Sequence, residues 1–236
     1  MSAGRRPWLL AIDTATSEIV VALGEADGAW LDGSNETAFH RHAERLLPAI
    51  EALAERHGLD RDDLAGIVVG TGPGAFTGLR VGLATAKTLA HELGCPIVGI
   101  PTAAALLAAS VEAGALTADA AAHAIVLLPA GARDRVAVLA GGLPVLLGSE
   151  ADRALEPGGA FLAVDLAGRA PEPAVLLGAV AVAGLGPALL RLGAARLAAD
   201  GGDDVVRLVP EYVTLPRGAN AASDPERGVA WSRDPR

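Results

Sequence analysis

The fold is decided by the stretch Val68-Val69-Gly70-Thr71-Gly72-Pro73-Gly74-Ala75-Phe76-Thr77-Gly78-Leu79-Arg80. An apolar run ends in a loop in which four glycines and one proline fall within nine residues, and a segment with helical periodicity, residues 79–93, follows directly. A strand, a glycine-rich loop and a helix in this order can place backbone N–H groups and a helix N-terminus against an anion. The loop lacks the Walker lysine and the GxGxxG spacing of dinucleotide-binding folds. A phosphate site and a tight turn without a ligand both stay open.

The pattern around this loop predicts five strands and three helices. The predicted strands are residues 8–12, 19–23, 29–31, 64–70 and 97–100, and the predicted helices are residues 43–57, 79–93 and 102–111. We expect either a helix break or the true start of the helix near Leu47, because Pro48 lies inside the first helical pattern. Gly58 and Gly94 are expected to close the first two helices, and Thr102 to cap the third at its N-terminus.

The resulting order, β-β-β-α-β-α-β-α, indicates an α/β protein with a mixed sheet, the layout of a ribonuclease-H-like lobe. The second half is less regular: residues 124–128, 135–140 and 145–147 predict another meander, and residues 187–199 a helix. We therefore expect two lobes, residues 1–105 and 106–215, of which the second is smaller. Residues 216–236, rich in Gly, Pro, Asp and Arg, are predicted to be a disordered tail.

The composition of the chain excludes several classes of function. The net charge of −9 argues against a protein that binds nucleic acid by itself, because neutralising phosphates requires clustered cations. Lys87 is the only lysine, and the single cysteine, Cys95, excludes an internal disulfide and a thiolate metal site. The first apolar run is too short for a signal sequence, and no uninterrupted apolar run is long enough to cross a membrane. We expect a soluble, cytoplasmic protein.

Several segments resemble one known family. Residues 10–17 (LAIDTATS) resemble the opening phosphate strand of the actin-like ATPase superfamily. Residues 42–50 (HAERLLPAI) resemble the H-S-E-x-L-L-P-x-I element of the TsaB family, and residues 72–87 resemble its G-P-G-S-F-T-G-L-R-I-G signature. Residues 210–213 resemble a drifted form of the family's P-x-Y-L-R ending. Over roughly its first 110 residues, the chain is similar to this glycoprotease-like family.

The resemblance implies a role in making N6-threonylcarbamoyladenosine, the modified base beside the anticodon of tRNA. It implies a scaffold subunit without catalytic or metal-binding residues of its own, paired as a heterodimer with a larger TsaD-like paralogue that binds the metal and transfers the threonylcarbamoyl group. A TsaE-like ATPase would join the pair. Alone, the chain would form a homodimer. It would contact tRNA only through the complex, and no contact with a membrane is expected. No cofactor is assigned to this chain, and ATP or ADP would belong to the complex.

The superfamily resemblance also suggests a nucleotide or phosphate loop. Its candidate residues are Asp13, Thr14, Thr16, Gly72, Gly74, Thr77, Gly78 and Arg80. Asp13 either faces a Mg²⁺–phosphate group, as in the kinases of the superfamily, or holds the turn at residues 14–16 by local hydrogen bonds. Residues 182–186 are the one weak candidate for a second phosphate loop. Where the catalytic paralogue has an H-x-E-x-H metal motif, residues 100–105 read IPTAAA and offer no metal ligand.

In the family, related helices of the two paralogues pack into a pseudo-symmetric bundle. The residues predicted in or near this interface are His42, Leu46, Leu47, Ile50, Leu83, Lys87 and Ala90. The alternative is that the same leucines form the core of this chain. A charge at Ala90 is expected to test the outward face. His40, His42 and Glu44 could form a ligand trio, although capping or interface roles fit their place at a helix start better.

The chain departs from the family at three places: Gly131-Ala132-Arg133 stands where D-A-R is usual, Ala75 stands where serine is usual, and Tyr212-Val213-Thr214 stands where Y-L-R is usual. Two other functions remain as alternatives. One is a small-molecule kinase or ATPase that uses Asp13 and the glycine loop. The other is a metal-dependent peptidase, against which the missing ligands count strongly.

Overall fold

The computed structural model describes residues 7–38, 41–130, 134–139, 145–147 and 160–212. The elements are β1 Trp8–Asp13, β2 Glu18–Glu25, β3 Trp30–Thr37, α1 His42–Arg56, β4 Leu64–Gly70, α2 Phe76–Leu93, β5 Ile97–Ile100, α3 Thr102–Glu112, α4 Ala118–Ala122, β6 Ile125–Ala130, β7 Asp134–Leu139, β8 Val145–Leu147, β9 Phe161–Ala163, α5 Glu172–Ala183 and α6 Leu185–Asp200. A short 3₁₀ turn, Arg61–Asp63, precedes β4. The predictions for His40, for residues 131–133, for residues 213–214 and for the tail at 216–236 lie outside the described residues.

The first sheet has the order β3-β2-β1-β4-β5, with β1 antiparallel to β2 and parallel to β4. Every residue of β1 is buried, because both faces of the sheet are covered. Leu10 and Ile12 face α1 and α2 on one side, whereas Leu9 and Ala11 face α3 and α6 on the other. The predicted order of strands and helices in this half is confirmed.

The second sheet has the order β8-β7-β6-β9, so the meander predicted in this half is also confirmed. Strand β9 and helices α4 and α5 are additional elements that the sequence pattern did not show. Helix α6 packs on the first sheet, and one hydrophobic core therefore joins residues of both halves. The boundary predicted between residues 105 and 106 falls inside α3, and the division into lobes stays a prediction.

Helices α5 and α6 follow each other directly and together form a long apolar stretch of the chain. Within the described ranges no single helix has both the length and the apolar character to cross a membrane, and these two meet the criterion only as a pair bent by 58°. Much of this apolar surface is used inside the protein, since Leu189, Leu190 and Ala194 of α6 are buried against the first sheet.

Two local predictions are wrong. Helix α1 continues through Pro48 without a break. Pro48 lies on the exposed side of the helix, and so does Glu44, whose carbonyl loses its partner; water can therefore satisfy that carbonyl. Thr102 does not cap α3, because its hydroxyl is engaged by Asp13 instead. Gly58 and Gly94 do close their helices, and both have positive φ.

Candidate functional site

Asp13 is fully buried at the carboxyl end of β1. Its Oδ1 accepts a hydrogen bond from the backbone N–H of Ala15 at 2.8 Å, and its Oδ2 accepts one from the hydroxyl of Thr102 at 2.6 Å. Burial raises the pKa of Asp13 to about 6, although the hydrogen bonds from Thr102 and Ala15 act in the opposite direction. Both carboxylate oxygens thus have partners inside the chain, which supports the local hydrogen-bonding role for Asp13.

Thr102 links Asp13 to the start of the glycine loop. Its Oγ1 accepts a hydrogen bond from the N–H of Gly72 at 3.0 Å, and its own N–H donates to the carbonyl of Gly72 at 2.7 Å. Gly72 has φ +98°, a conformation that favours glycine. A Cβ on Gly70 would overlap Oδ2 of Asp13. The first part of the loop is therefore clamped between the end of β1 and the start of α3.

Gly74 and Gly78 of the loop, and Gly82 within α2, pack against the turn between β1 and β2. A Cβ on Gly74 would overlap the carbonyl oxygen of Ala15, one on Gly78 would overlap the carbonyl oxygen of Thr14, and one on Gly82 would overlap the hydroxyl of Thr14. The Thr14 hydroxyl also donates to the carbonyl of Gly78 at 2.8 Å. The space that these glycines leave is thus filled by the backbone of the turn and by the side chains of Thr14 and Ala15.

Two other candidate residues of the predicted phosphate loop are exposed to solvent. Thr77 and Arg80 are exposed in the first turns of α2. The Arg80 guanidinium lies over the Phe76 ring, 5.3 Å from its centroid, and the Phe76 and Tyr212 ring centroids are 5.0 Å apart. At the helix N-terminus, the N–H of Ala75 donates to the carbonyl of the Ala15 residue at 2.7 Å.

The glycine loop and the β1–β2 turn pack together as one joint, and Thr16 and His42 also belong to it. The Thr16 hydroxyl accepts a hydrogen bond from the N–H of Glu18 at 3.2 Å, and the Thr16 carbonyl lies 3.1 Å from Nε2 of His42. Because His42 is buried at the first residue of α1, it fixes the start of this helix to the β1–β2 turn. His40, the other histidine of the predicted ligand trio, lies outside the described residues. Within the described ranges, no group of three or more His, Cys, Asp or Glu residues is placed to hold a metal ion.

The predicted interface residues divide into two groups. Leu46, Leu83 and Ala90 are buried in the core between α1, α2 and the first sheet. Ala90 is only 2% exposed, so the expectation that it lies on an outward face is wrong: this side of α2 packs on the sheet. Leu47 is 47% exposed and Ile50 is half-buried.

Lys87, the last predicted interface residue, is half-buried, and its Nζ donates to the carbonyl of Leu208 at 3.1 Å. The weak second loop candidate, residues 182–186, is the junction of α5 and α6. There the carbonyl of Val182 accepts a hydrogen bond from the Asn35 side chain at 2.8 Å, and Leu185 is buried in the core. This segment therefore joins two packed helices directly, whereas a strand precedes the glycine loop after β4.

Sequence reasoning missed Asp165, which follows β9 and lines a cleft of about 420 Å³ together with Glu18, Asn35 and α5. Asp165 has φ +56°, and its carboxylate accepts hydrogen bonds from the N–H and the hydroxyl of Ser17 at 2.6 and 2.5 Å. Burial and the charge of Asp165 raise the pKa of Glu18. No motif surrounds Asp165, so its contact with Ser17, 148 residues away in sequence, could not be read from the chain.

Comparison with known proteins places these features in a family. The model of the family described as TsaD, tRNA N6-adenosine threonylcarbamoyltransferase, matches residues 35–165, more than half of the chain. An uncharacterized protein of Mycobacterium tuberculosis is 42% identical over 93 residues, 39% of this chain and 44% of that protein. The tRNA threonylcarbamoyladenosine biosynthesis protein TsaB of Escherichia coli is 36% identical over 98 residues, 40% of each chain. The chain spans less than half the length of these curated relatives.

Among solved structures, YeaZ from Pseudomonas aeruginosa is similar with a TM-score of 0.64 and 24% identity, covering 88% of this chain and all of that one. At this identity the likeness concerns the fold alone, and it confirms the predicted actin-like, ribonuclease-H-like class with two mixed sheets. Taken with the match to more than half of the chain, these findings show that the chain belongs to the glycoprotease-like family described as TsaD, tRNA N6-adenosine threonylcarbamoyltransferase, and that it is a TsaB-like protein within it.

Proposed function

We propose that this chain is a non-catalytic scaffold subunit in the biosynthesis of N6-threonylcarbamoyladenosine in tRNA, and that it pairs with a TsaD-like catalytic paralogue. The observation that carries this proposal is the start of α3, where the family resemblance places the metal ligands of the catalytic subunit. Here Thr102 is bound to Asp13 and Gly72, and Ala103 and Ala105 are buried in the core. These side chains are committed to holding the fold together, which supports a division of labour between the two proteins.

The glycine loop supports the same role. Its glycines accommodate the β1–β2 turn, and the N–H of Ala75, the residue directly before α2, is already bound to the carbonyl of Ala15. A nucleotide phosphate at this loop would have to displace that turn, together with the hydrogen bond between Thr14 and Gly78. A rigid joint that fixes α1 and α2 on the sheet is useful to a scaffold, because it presents the outer sides of both helices in a constant arrangement.

The surface we propose for the partner lies on these outer sides. Leu47 is a large exposed apolar residue on α1, and Ile50 and Lys87 are partly accessible. A TsaE-like ATPase would join the pair, and tRNA would be reached through the complex, because a net charge of −9 disfavours direct binding. When the chain is alone, a homodimer through the same surface would cover it. The complex is proposed to work in the cytoplasm.

The experiment is a measurement of mass by light scattering after gel filtration, with the chain alone and mixed with the TsaD-like protein of the same organism. We expect a one-to-one heterodimer in the mixture. Leu47→Glu should abolish it, because a charge would be buried at the contact. The matched control is Leu176→Glu, since Leu176 is 62% exposed on α5, far from α1 in the chain.

An unchanged mass on mixing would refute the scaffold proposal and would direct attention to ATP turnover by the isolated chain. If the heterodimer forms equally with wild-type chain and Leu47→Glu, the proposed surface is wrong while the pairing stands. Loss of the heterodimer in both variants would also refute this choice of surface, because the effect would not be specific to α1.

A further inference from the structure

Strand β5 is an edge strand of the first sheet, next to β4. The carbonyls of Pro96 and Ile100 accept hydrogen bonds from β4 and the residue after it, so the backbone groups of Ile97 and Gly99 point away from the sheet. Such an open edge is a template for pairing with another chain unless it is covered. The residues that cover this edge therefore decide whether β5 can pair with a strand of another chain.

Asp203 covers the edge by imitating a strand residue. Its N–H donates to the carbonyl of Ile97 at 2.7 Å, and its Oδ2 accepts from the N–H of Gly99 at 2.8 Å. Arg196 of α6 completes the arrangement: it donates to the carbonyl of Gly99 at 2.8 Å and to Oδ1 of Asp203 at 2.7 Å. A backbone donor, a carboxylate and a guanidinium thus take the place of a neighbouring strand.

The chain then continues across the end of the sheet to the glycine loop. Lys87 binds the carbonyl of Leu208, and the N–H of Glu211 donates to the carbonyl of Thr71 at 2.8 Å. Between these points the segment has no helix or strand, and Val206 is 82% exposed. Val205 and Leu208 are partly buried against the core, and a Cβ on Gly99 would lie 2.6 Å from Cδ1 of Leu208.

We propose that residues 203–212 form a strap that closes the edge of β5 and opens as one unit. A segment with few buried apolar contacts, held at both ends by hydrogen bonds, is expected to detach locally at a free energy well below that of global unfolding. Because the segment is short, release at Asp203 also removes Leu208 from Gly99 and frees the amine of Lys87. The state of the sheet edge is thereby coupled to the surface of α2.

The first test uses Asp203→Ala, with Asp200→Ala as the matched control. Asp200 also lies beside Arg196, at 3.7 Å, but its side chain is 61% exposed, whereas it is Asp203 that accepts the hydrogen bond from Gly99 of β5. Two signals are measured. The first is the exchange rate of the Gly99 amide by NMR, and the second is the labelling of Lys87, the only lysine in the sequence, by an amine-reactive ester. In Asp203→Ala we expect Gly99 exchange to rise about tenfold or more and Lys87 labelling to rise with it.

The amide of Val98, which faces β4, should stay as slow in Asp203→Ala as in the wild-type chain. A rise at Gly99 without a rise at Lys87 would overturn the proposal, as would equal rises in Asp200→Ala or at Val98. Where Asp203→Ala fails to fold, Lys87→Met tests the same coupling from the other end, since coupling between two sites is reciprocal. Faster Gly99 exchange in Lys87→Met supports the strap, and unchanged exchange refutes it.

Discussion

The glycine loop after β4 and the junction between α5 and α6 both contain closely spaced glycines, but those glycines touch different things. Gly78 in the loop lies so close to the carbonyl of Thr14 that a Cβ would overlap this oxygen. A Cβ on Gly184 in the junction would lie 3.1 Å from the methyl carbon of Ala109. The first neighbour is backbone fixed by two strands, and the second is a side chain on a helix that can shift slightly. The density of glycines alone therefore does not distinguish a ligand loop from a packed joint or a helix bend.

The largest effect is expected for Gly78→Ala. The added methyl group has no space beside the Thr14 carbonyl, so either α2 or the β1–β2 turn must move, and we expect a loss of about 3 kcal/mol of unfolding free energy. The gain in helix propensity, about 1 kcal/mol, offsets only part of the clash. Urea unfolding at pH 7 measures the difference.

This variant also separates the two interpretations of the loop. If the glycines served to admit a phosphate, alanine at position 78 would leave the stability of the ligand-free chain nearly unchanged. A loss below about 0.5 kcal/mol, the usual range for innocuous changes, would therefore contradict the packed joint and revive the kinase alternative. The comparison uses isolated chain without added nucleotide.

The second prediction concerns the carboxyl group of Asp13, which is buried beside the glycine loop. The α5–α6 junction, residues 182–186, contains no ionisable residue. The pKa of Asp13 is raised from 3.8 to about 6, so the folded state holds the proton more tightly than the unfolded state. Its contribution favours folding below pH 4 and is lost as the pH rises through 6. Asp13→Asn cannot titrate. The unfolding free energy of the wild-type chain minus that of Asp13→Asn should therefore fall by about 2 kcal/mol between pH 4 and pH 7.

The measurement is urea unfolding of both proteins at several pH values from 4 to 7. Other titrating groups are shared and cancel in the difference, and any constant offset from the altered bond to Thr102 does not depend on pH. A difference that stays flat, or that rises with pH, would show that the burial of Asp13 does not shift its pKa upward.

The first sheet could be predicted from sequence because its signals are local. Strands β4 and β5 have the predicted bounds, and the helices end where Gly58 and Gly94 indicate. Strand β9 could not be predicted, since it owes its place to parallel pairing with β6, which lies more than 30 residues earlier in the chain. The same reason hides Asp165, whose partner Ser17 lies in the other half.

For the candidate site, the sequence named residues but did not predict how they are arranged. An amphipathic pattern names the residues of an apolar face, yet it does not say whether that face meets the chain's own sheet or a partner. Ala90 was therefore assigned to an outward face although it is buried, whereas Leu47, which directly follows buried Leu46, is the exposed residue of that pair. The role of Thr102 depends on Asp13, 89 residues away, and no local capping rule contains that contact.

The smallest effect is expected for Gly184→Ala, which tests the other side of the comparison. Gly184 has φ −93° and ψ 2°, a conformation open to alanine, and the Ala109 methyl carbon at 3.1 Å needs to move by only a few tenths of an ångström. The alanine also restricts the unfolded chain, and this gain of up to about 1 kcal/mol opposes the cost of the close contact. We therefore expect a net change within about 0.5 kcal/mol in urea unfolding. A loss as large as that of Gly78→Ala would mean that the α5–α6 junction is held as rigidly as the glycine loop, and the contrast between the two segments would then have to be abandoned.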